Sequence, residues 1–179
     1  MAPLFFPMVF ECRYETPRGF DDLWMSSDGV ALTGLWFEGS RGRALRPADG
    51  VERDLPVFRE TRRWLDLYFS GRLPGFTPDF RIDGLTPFRE EVLKALLAIP
   101  YGETATYGEI AAEIARKRGG RMSAQAVGGA VGWNPVCIVV PCHRIVGADG
   151  SLTGYGGGVR NKALLLELEK SGTSRHNPH

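Results

Sequence analysis

The chain has 179 residues, of which 43% are hydrophobic and 24% charged, and its net charge is +1. This length allows one large domain or two small ones. The near-neutral charge excludes the strongly basic overall field of many nucleic-acid-binding proteins, so any such signal must be local. Three cysteines without a closely spaced framework indicate a reducing compartment. Because no run reaches the roughly 18 apolar residues of a membrane span, the sequence predicts a cytoplasmic protein with no membrane partner.

The first predicted domain, residues 1–83, combines β-strands with one helix. Asp28-Gly29 between two apolar runs is a strong signal for a hairpin turn. Apolar residues recur at helical spacing from 56 to 69, and Ser70-Gly71 ends that pattern. This part carries no cluster of reactive side chains, and we interpret it as a scaffold. Its predicted elements are a strand at 4–12, hairpin strands at 23–26 and 30–37, a loop at 39–50, a helix at 56–69 and an irregular linker, with room for one short strand, at 73–83.

The second predicted domain, residues 84–170, is mainly helical. Thr86, Thr106 and Ser123 are predicted N-caps, and Glu109 completes a capping-box pattern with Thr106. Residues 171–179 are predicted to form a disordered tail. The predicted helices lie at 87–98, 107–117, 124–132 and 159–170, the last with Leu164, Leu165 and Leu168 facing the core.

An apolar, β-branched run at 136–140 leads into Pro141-Cys142-His143-Arg144. A cysteine attacks as its thiolate, and a free thiol, with a pKa of about 8.5, is mostly protonated near neutral pH. A neighbouring base or cation must therefore activate it. Successive side chains of a strand point to opposite faces, so either the chain bends at Pro141-Cys142 or a water molecule bridges Cys142 and His143. A buried structural thiol is the alternative, which the adjacent His and Arg disfavour.

Residues 107–132 have the pattern of a helix-turn-helix. The turn is basic, which suits phosphate contacts, and the second helix is rich in small residues, which allows a close approach to a groove. A solvated loop between two packed helices explains this pattern equally well. The glycine-rich segment 154–158 lacks the Lys-Ser/Thr of a phosphate-binding loop, and we interpret it as a loop closing over a pocket, with Tyr155 as a wall for a flat base.

Together these motifs resemble those of the alkylguanine-DNA alkyltransferases, also called methylated-DNA–protein-cysteine methyltransferases. The resemblance implies an α+β (α/β mixed) fold, with a ribonuclease-H-like N-terminal domain and a helical, winged helix-turn-helix-like C-terminal domain that holds the active site. The N-terminal part fits the family only in outline. The resemblance covers about residues 87–169 and rests on Thr106-Tyr107-Gly108-Glu109-Ile110-Ala111, Ala126-Val127-Gly128-Gly129-Ala130, Asn134-Pro135, Pro141-Cys142-His143-Arg144 and Thr153-Gly154-Tyr155-Gly156-Gly157.

What the resemblance implies is a DNA repair protein of the methylated-DNA–[protein]-cysteine S-methyltransferase class. Cys142 would take the alkyl group from O6 of guanine, irreversibly and once per molecule, after the base is flipped out of the duplex. His143 would accept the thiol proton through a water molecule, and Glu169 would orient His143. Tyr107 would donate to the base, and Asn134 would connect two parts of the site. Alkylated O4 of thymine stays open as a second substrate.

The same resemblance implies how the protein meets its partner, double-stranded DNA with alkylated bases. The helix at 126–130 would lie in the minor groove. Gln125 stands where some members carry an arginine that fills the gap of the flipped base, and Cys137 stands where others have proline. A monomer, nucleoid-associated when on DNA, is expected, with no cofactor and no metal. The implied substrate- and DNA-binding residues are Arg121, Gln125, Ala126, Gly128, Cys137, Arg144, Ile145, Tyr155 and Gly156.

Two other functions stay open at this stage. A cysteine hydrolase would need a Cys–His pair from separate elements and an oxyanion hole, and the adjacent Cys142 and His143 disfavour it. A non-catalytic protein that only binds alkylated DNA is the other alternative. Lesion-binding relatives of the family replace the cysteine, whereas this chain keeps it.

Overall fold

The computed structural model describes residues 8–40, 50–152 and 154–176. Within these residues, the N-terminal half contains a four-stranded sheet in the order β3-β2-β1-β4. Neighbouring strands are antiparallel except for β4, which is parallel to β1. The strands are β1 (Phe10–Tyr14), β2 (Leu23–Ser27), β3 (Leu32–Phe37) and β4 (Val51–Glu52).

The hairpin between β2 and β3 lies where the Asp28-Gly29 pair predicts it. Gly29 has φ of 101°, a left-handed conformation that glycine adopts without steric cost. Asp28 Oδ1 accepts hydrogen bonds from the amides of Val30 and Ala31, each at 2.9 Å. The turn residues therefore satisfy the main chain locally. The pairing of β2 with β3 shifts register by one residue between Ser26 and Ser27.

Helix α1 (Pro56–Phe69) has the predicted bounds. It ends at Ser70-Gly71, where Gly71 has φ of 77° and its amide donates to the Tyr68 carbonyl at 2.9 Å. The buried face follows the predicted helical spacing, so α1 packs its apolar side into the core. Its buried residues are Val57, Phe58, Thr61, Trp64, Leu65, Tyr68 and Phe69.

The C-terminal half is helical, as predicted, and each of its first three helices begins at a predicted cap. Thr86 Oγ1 accepts from the Arg89 amide at 3.2 Å, and Ser123 Oγ accepts from the Ala126 amide at 3.1 Å. Thr106 and Glu109 form the reciprocal capping box. The elements are α2 (Pro87–Leu97), β5 (Ala105–Thr106), α3 (Tyr107–Arg118), α4 (Ala124–Gly132), a 3-10 helix (Cys142–Arg144), β6 (Ile145–Val146), which pairs in parallel with β5, and α5 (Val159–His176).

The outer edge of β3 carries the segment that leads to Cys142. The Leu35 amide donates to the Pro135 carbonyl at 2.8 Å, and the Cys137 amide donates to the Leu35 carbonyl at 2.9 Å. Further along the same edge, Leu32 pairs with Phe80, the short extended piece within the predicted linker. The outer edge of a sheet has main-chain amides and carbonyls without a partner strand. On β3, Leu35 bonds residues 135 and 137 of the C-terminal half, and Leu32 pairs with Phe80 of the N-terminal half.

The apolar, β-branched run at 136–140 forms no continuous strand and makes only isolated bridges, Val136 with Leu35 and Cys137 with Val140. The run folds into a tight turn in which Ile138 has φ of 67°, the Val139 amide donates to the Cys137 carbonyl at 2.8 Å, and the Val140 amide donates to the Val136 carbonyl at 3.1 Å. A β-branched residue at positive φ is a genuine outlier that costs about 1–3 kcal/mol. The surrounding hydrogen bonds must hold this conformation.

The expectation of a disordered tail is wrong for residues 171–176, because α5 continues to His176. Gly172 lets this extension pack closely, since a Cβ there would come within 2.6 Å of the Gly71 carbonyl and 2.8 Å of Tyr101 Oη. Residues 177–179 lie outside the described residues, as do 4–7 of the first predicted strand and most of the loop predicted at 39–50. Among the described residues, the strand begins at Phe10 and continues to Tyr14.

The mixed α+β class, with a helical C-terminal half, is confirmed. One hydrophobic core runs through both halves, from Met25 of the sheet to Val127 of α4 and Leu165 of α5. The boundary at residues 83–84 therefore stays a prediction. In the part of the chain that the structure describes, no helix is long and apolar enough to cross a membrane.

Candidate active site

The 3-10 helix holds the predicted reactive residues Cys142, His143 and Arg144. Pro141, with φ of −80° and ψ of 57°, bends the chain just before it, which is one of the two predicted solutions. The Arg144 amide donates back to the Pro141 carbonyl at 3.0 Å. Cys142 is 6% exposed and His143 fully buried, and no hydrogen bond joins these two described side chains directly. A proton passing between them therefore needs an intermediary.

Asn134 fixes the turn that precedes the cysteine. Its Nδ2 donates to the Val140 carbonyl at 3.1 Å and approaches the Val136 carbonyl at 3.4 Å, while its Oδ1 accepts from the Val136 amide at 3.0 Å. The same Nδ2 donates to Cys142 Sγ at 3.1 Å. One amide therefore stabilises both the strained turn and the sulfur.

The carboxylate of Glu169 lies at the centre of a buried polar cluster. Its Oε1 is 2.7 Å from His143 Nε2 and accepts from Arg144 Nη2 at 3.0 Å. Its Oε2 accepts from Arg144 Nε at 2.9 Å and from the Gly102 amide at 3.0 Å. Glu169 is fully buried, and the two-pronged Arg144 contact is the strong geometry for an arginine–carboxylate pair.

Tyr68 of α1 reaches the same cluster from the N-terminal half. Its hydroxyl donates to Glu169 Oε1 at 2.7 Å and lies 3.3 Å from His143 Nε2. The ring is 1% exposed and stacks on Trp64 at a centroid distance of 5.3 Å. The other ring nitrogen of His143, Nδ1, is buried and makes no hydrogen bond to the residues that the structure describes.

Burial governs the protonation of the cysteine and the histidine. It raises the pKa of the Cys142 thiol above its usual value, although the Asn134 amide acts in the opposite direction. It lowers the pKa of His143, against the opposing pull of Glu169. The resting pair is therefore a neutral thiol and a neutral imidazole, which is a base ready to accept a proton.

Glu169 is held as an anion. Burial alone would raise its pKa, but the hydrogen bonds and charges of His143 and Arg144 outweigh it and lower the pKa from 4.5 to about 2. A permanent carboxylate on Nε2 stabilises a positive charge on the imidazole when Nδ1 takes a proton. This is the role that a buried acid plays behind a catalytic histidine.

A second buried cation, Lys162 of α5, lies close to the cysteine. Its ammonium donates to the Ile145 carbonyl, and it is fully buried. Burial lowers the pKa of Lys162, and the charge of a Cys142 thiolate raises it. By the same interaction Lys162 lowers the pKa of Cys142, so it favours the thiolate.

A cavity of about 230 Å³ opens beside Cys142. It brings together the predicted residues Tyr107, Asn134, Cys137, Tyr155 and Gly156. Burial and the nearby Cys142 raise the pKa of Tyr107, so its hydroxyl keeps its proton and serves as a donor. Trp36 and Phe37 of β3 line the same cavity, so the N-terminal half supplies part of its wall.

The helix-turn-helix region presents an exposed surface that ends at this cavity. Arg121, Gln125 and Ala126 are exposed around the start of α4, and Val131 and Gly132 at its other end line the cavity. Gly128 packs on Tyr107, where a Cβ would lie 3.7 Å from the ring. The exposed face and the thiol are therefore connected through one short helix.

Comparisons with known proteins agree with this arrangement. Residues 87–171 match the family model described as 6-O-methylguanine DNA methyltransferase, DNA binding domain. The methylated-DNA–protein-cysteine methyltransferase of Mycobacterium leprae is 50% identical over 168 residues, which cover 90% of this chain and 93% of that protein. The chain belongs to the methylated-DNA–protein-cysteine methyltransferase family. The Mycobacterium tuberculosis relative is 55% identical over 107 residues, in a match that spans 60% of this chain and 62% of that relative's length.

Solved structures of this family share the fold. The crystal structure of the M. tuberculosis O6-methylguanine methyltransferase has a TM-score of 0.77 and 39% identity, covering 95% of this chain and 100% of that one. A second M. tuberculosis structure, in complex with DNA, has a TM-score of 0.77 and 40% identity, covering 91% of this chain and 94% of that one. Both matches extend through the N-terminal half, which the sequence motifs leave unassigned.

Two residues predicted to contact substrate or DNA in this methyltransferase-family chain are buried. Arg144 is 9% exposed, with its guanidinium on Glu169 and on the Ile99 carbonyl. Ile145 is fully buried in β6. The Arg144 side chain therefore holds Glu169, and the Ile145 side chain packs in the core. Their predicted contact with substrate or DNA stays a prediction.

Sequence reasoning missed three buried polar residues in and around the candidate site: Tyr68, Asn161 and Lys162. Asn161 Nδ2 donates to the Gly157 carbonyl and to Asp21 Oδ2, each at 2.8 Å, and so ties the glycine-rich loop to the N-terminal half. On α5 the fully buried positions are Asn161, Lys162, Leu165 and Glu169, whereas the predicted core residues Leu164 and Leu168 are only partly buried. The spacing of Lys162, Leu165 and Glu169 was the available signal, since it places all three on one helix face.

Proposed function

We propose that this protein repairs O6-alkylguanine in double-stranded DNA by transferring the alkyl group to its own Cys142. The observation that supports this most directly is the position of Cys142. Its thiol lies beside a cavity, under a donor from Asn134 and next to a neutral histidine backed by an anionic carboxylate. Membership of the methylated-DNA–protein-cysteine methyltransferase family supports the same reaction.

The reaction begins with the proton on Cys142. His143 Nδ1 accepts it through a bridging water, because the two side chains make no direct bond and Nε2 already lies 2.7 Å from Glu169. The resulting imidazolium is stabilised by the Glu169 carboxylate. Asn134 and Lys162 stabilise the thiolate that remains. Each of these groups is in place before substrate arrives, so the step costs little reorganisation.

The thiolate then attacks the alkyl carbon. A sulfur–carbon bond forms, the bond from that carbon to guanine O6 breaks, and its electron pair moves onto the guanine. The Tyr107 hydroxyl donates to the base ring, and the Gly156 amide lies near O6. Overall a thiol and an O6-alkylguanine give a thioether and guanine, with the thiol proton ending on the base. A thioether offers no good leaving group, so each molecule reacts once.

Reaching O6 requires the base to leave the duplex. The exposed start of α4 lies in the minor groove, where Ala126 and Gly128 allow close approach, and Arg121 contacts phosphate. Gln125 fills the space of the flipped base, and Tyr155 forms one wall of the pocket that receives it. Cys137 shapes the rim of that pocket, and the protein acts as a monomer.

Intact-protein mass spectrometry with a duplex that carries one O6-methylguanine tests this proposal. One added methyl group, mapped to Cys142 and never exceeding one per molecule, is the expected result, and Cys142→Ala should bind the duplex without being modified. Tight lesion binding by an unmodified parent protein would indicate a lesion-recognition protein instead. A modification that turns over and frees the thiol would indicate a hydrolase.

A further inference from the structure

We infer that Tyr68 is a positioning residue for the methyl-transfer site, acting through Glu169 on the ring of His143. This inference rests on the proposed function and extends it to the N-terminal half of the chain. Tyr68 lies on α1, whereas His143 and Glu169 lie in the C-terminal half. The half of the protein that sequence reasoning interprets as a scaffold therefore contributes a side chain to the proton-transfer group.

The geometry fixes the direction of each hydrogen bond. Desolvation raises the pKa of Tyr68 well above its usual value, so its hydroxyl is protonated and must donate to Glu169 Oε1 at 2.7 Å. His143 Nε2 lies 2.7 Å from the same oxygen. An anionic carboxylate offers only acceptors, so Nε2 carries the proton of the neutral imidazole. Nδ1 then holds the lone pair and is the atom that accepts the proton of Cys142.

Tyr68 controls how strongly Glu169 attracts the proton on Nε2. A hydrogen bond donated to a carboxylate lowers its proton affinity. With Tyr68 in place, the proton stays on Nε2 when His143 becomes an imidazolium, and the hydroxyl adds to the Arg144 and Gly102 hydrogen bonds that fix the carboxylate against the ring. Without the hydroxyl, Glu169 becomes the more basic partner. The imidazolium then becomes easier to form, and the ring less firmly held.

Two other charged groups act on His143, Lys162 of α5 and Arg144 of the same 3-10 helix. Tyr101, just before β5, packs against Tyr68, and the Arg144 guanidinium lies over its ring. Arg144 and Lys162 are cations that lower the pKa of His143, and Glu169 raises it. Tyr68→Phe leaves all of them unchanged and keeps the ring contacts with Trp64 and Tyr101. A change in this variant therefore reports the hydroxyl itself.

The chain offers a matched control in Tyr14. Tyr14 lies at the end of β1, is also buried, and its hydroxyl donates to a carboxylate oxygen, Asp66 Oδ1 of α1, at 2.8 Å. Tyr14→Phe removes the same chemical group, a tyrosine hydroxyl that donates to a carboxylate, at a position outside the methyl-transfer site. Loss of stability alone would therefore affect both variants alike.

The experiment measures the single-turnover rate of methyl transfer from an O6-methylguanine duplex against pH, for the parent, Tyr68→Phe and Tyr14→Phe. In Tyr68→Phe the acid limb of the pH–rate profile, where the rate rises as His143 loses its proton, should move to higher pH by about half a unit. The maximum transfer rate of this variant, on the plateau of the profile, should fall about tenfold. Removal of an entire general base costs more, about 100-fold or greater. Tyr14→Phe should keep the parent profile. The ¹⁵N shifts of the His143 ring should show Nε2 protonated in the parent and a raised pKa in Tyr68→Phe.

An active parent whose pH profile is unchanged in Tyr68→Phe would overturn the inference and leave the proposed function standing. Equal loss of rate in both variants, with no movement of the acid limb, would also overturn it, because it would assign Tyr68 a structural role. A parent that transfers no methyl group would overturn the proposed function and this inference with it. Should Tyr68→Phe fail to fold, a ring-fluorinated tyrosine placed at position 68 is the second variant. It donates more strongly and should move the acid limb to lower pH, and an unmoved limb would overturn the inference.

Discussion

Asn134 Nδ2 donates to Cys142 Sγ at 3.1 Å while it also bonds the main chain of the turn before the cysteine. Asn134 follows directly after α4, and its own amide donates to the Val131 carbonyl at 3.2 Å. The helix proposed to lie in the groove and the sulfur proposed to react are therefore joined through a single side chain. A shift of α4 on DNA would reach the thiol through this amide.

Replacing Asn134 with alanine should weaken both the fold and the reaction. The free energy of unfolding should fall by about 1–3 kcal/mol, because the amide of Val136 loses its acceptor and the carbonyl of Val140 keeps only the Cys142 amide as a donor. The methyl-transfer rate should fall as well, since the thiolate loses a donor. Urea unfolding and single-turnover assays measure the two effects. Asn134→Asp is the informative comparison, because it keeps an acceptor for the Val136 amide but places a negative charge beside the sulfur. A transfer rate equal to that of the parent in either variant would contradict the role of Asn134 in stabilising the thiolate.

Replacing His143 with glutamine should change the shape of the pH–rate profile. Burial lowers the pKa of His143, so the parent rate should rise at acidic pH and be level from about pH 7 to about pH 8. Burial raises the pKa of Cys142. In a protein without the base, the thiolate therefore forms only by direct ionisation of the thiol at high pH. The variant rate should therefore keep climbing beyond about pH 9. Stopped-flow assays of the two proteins across this range decide the matter, and parallel profiles would exclude His143 as the base.

Glu169 should make the protein acid-sensitive. Its pKa falls from 4.5 to about 2 on folding, so the ionised carboxylate stabilises the native state above pH 4.5, and this contribution is lost as the pH falls towards 2. A shift of this size corresponds to about 3 kcal/mol. The stability difference between the parent and Glu169→Gln, measured by urea unfolding, should therefore shrink between about pH 6 and about pH 3. A difference that is constant with pH would mean that the carboxyl is not held ionised by its partners.

Local signals predicted the helices well because they act within a few residues. Thr86, Ser123 and the Thr106–Glu109 pair each satisfy main-chain amides within one turn of their helix. At 136–140 the β-branched residues locally favour an extended chain, but they form no continuous strand. The edge of β3 and the Asn134 side chain impose a turn there instead, with Ile138 at positive φ. Those contacts come from outside the run, so its own residues could not indicate them.

The sequence predicted those residues of the candidate site that belong to a recognisable motif, and it missed the others. Cys142 and His143 were identified from their own motif, as a thiol beside a base, whereas Glu169 was assigned its role only through the family resemblance. Tyr68 sits on the apolar face of α1, where its spacing indicates packing and says nothing about its hydroxyl. Lys162 was missed because a lysine in a helix is ordinarily exposed. Only the tertiary fold reveals that both side chains reach the cysteine and its base.

The DNA contact proposed for Arg121 can be tested through the salt dependence of binding. Within the basic turn, Lys117 bonds Glu113 at 2.6 Å and Arg118 bonds Glu91 at 2.8 Å, whereas Arg121 is exposed beside the start of α4. A side chain that neutralises one phosphate contributes about 0.9 to the slope of log affinity against log salt. Arg121→Ala should therefore bind an O6-methylguanine duplex more weakly at low salt and reduce that slope by about one.

Arg59→Ala is the control for this measurement, because Arg59 is an exposed arginine on α1 whose guanidinium bonds Asp54 at 2.8 Å. It removes the same charge from a part of the chain with no proposed DNA contact, so its slope should equal that of the parent. Equal slopes for Arg121→Ala and the parent would remove Arg121 from the interface. Equal reductions in both variants would mean that the slope reports net charge, and DNA recognition would then have to depend on Gln125 and the small residues of α4.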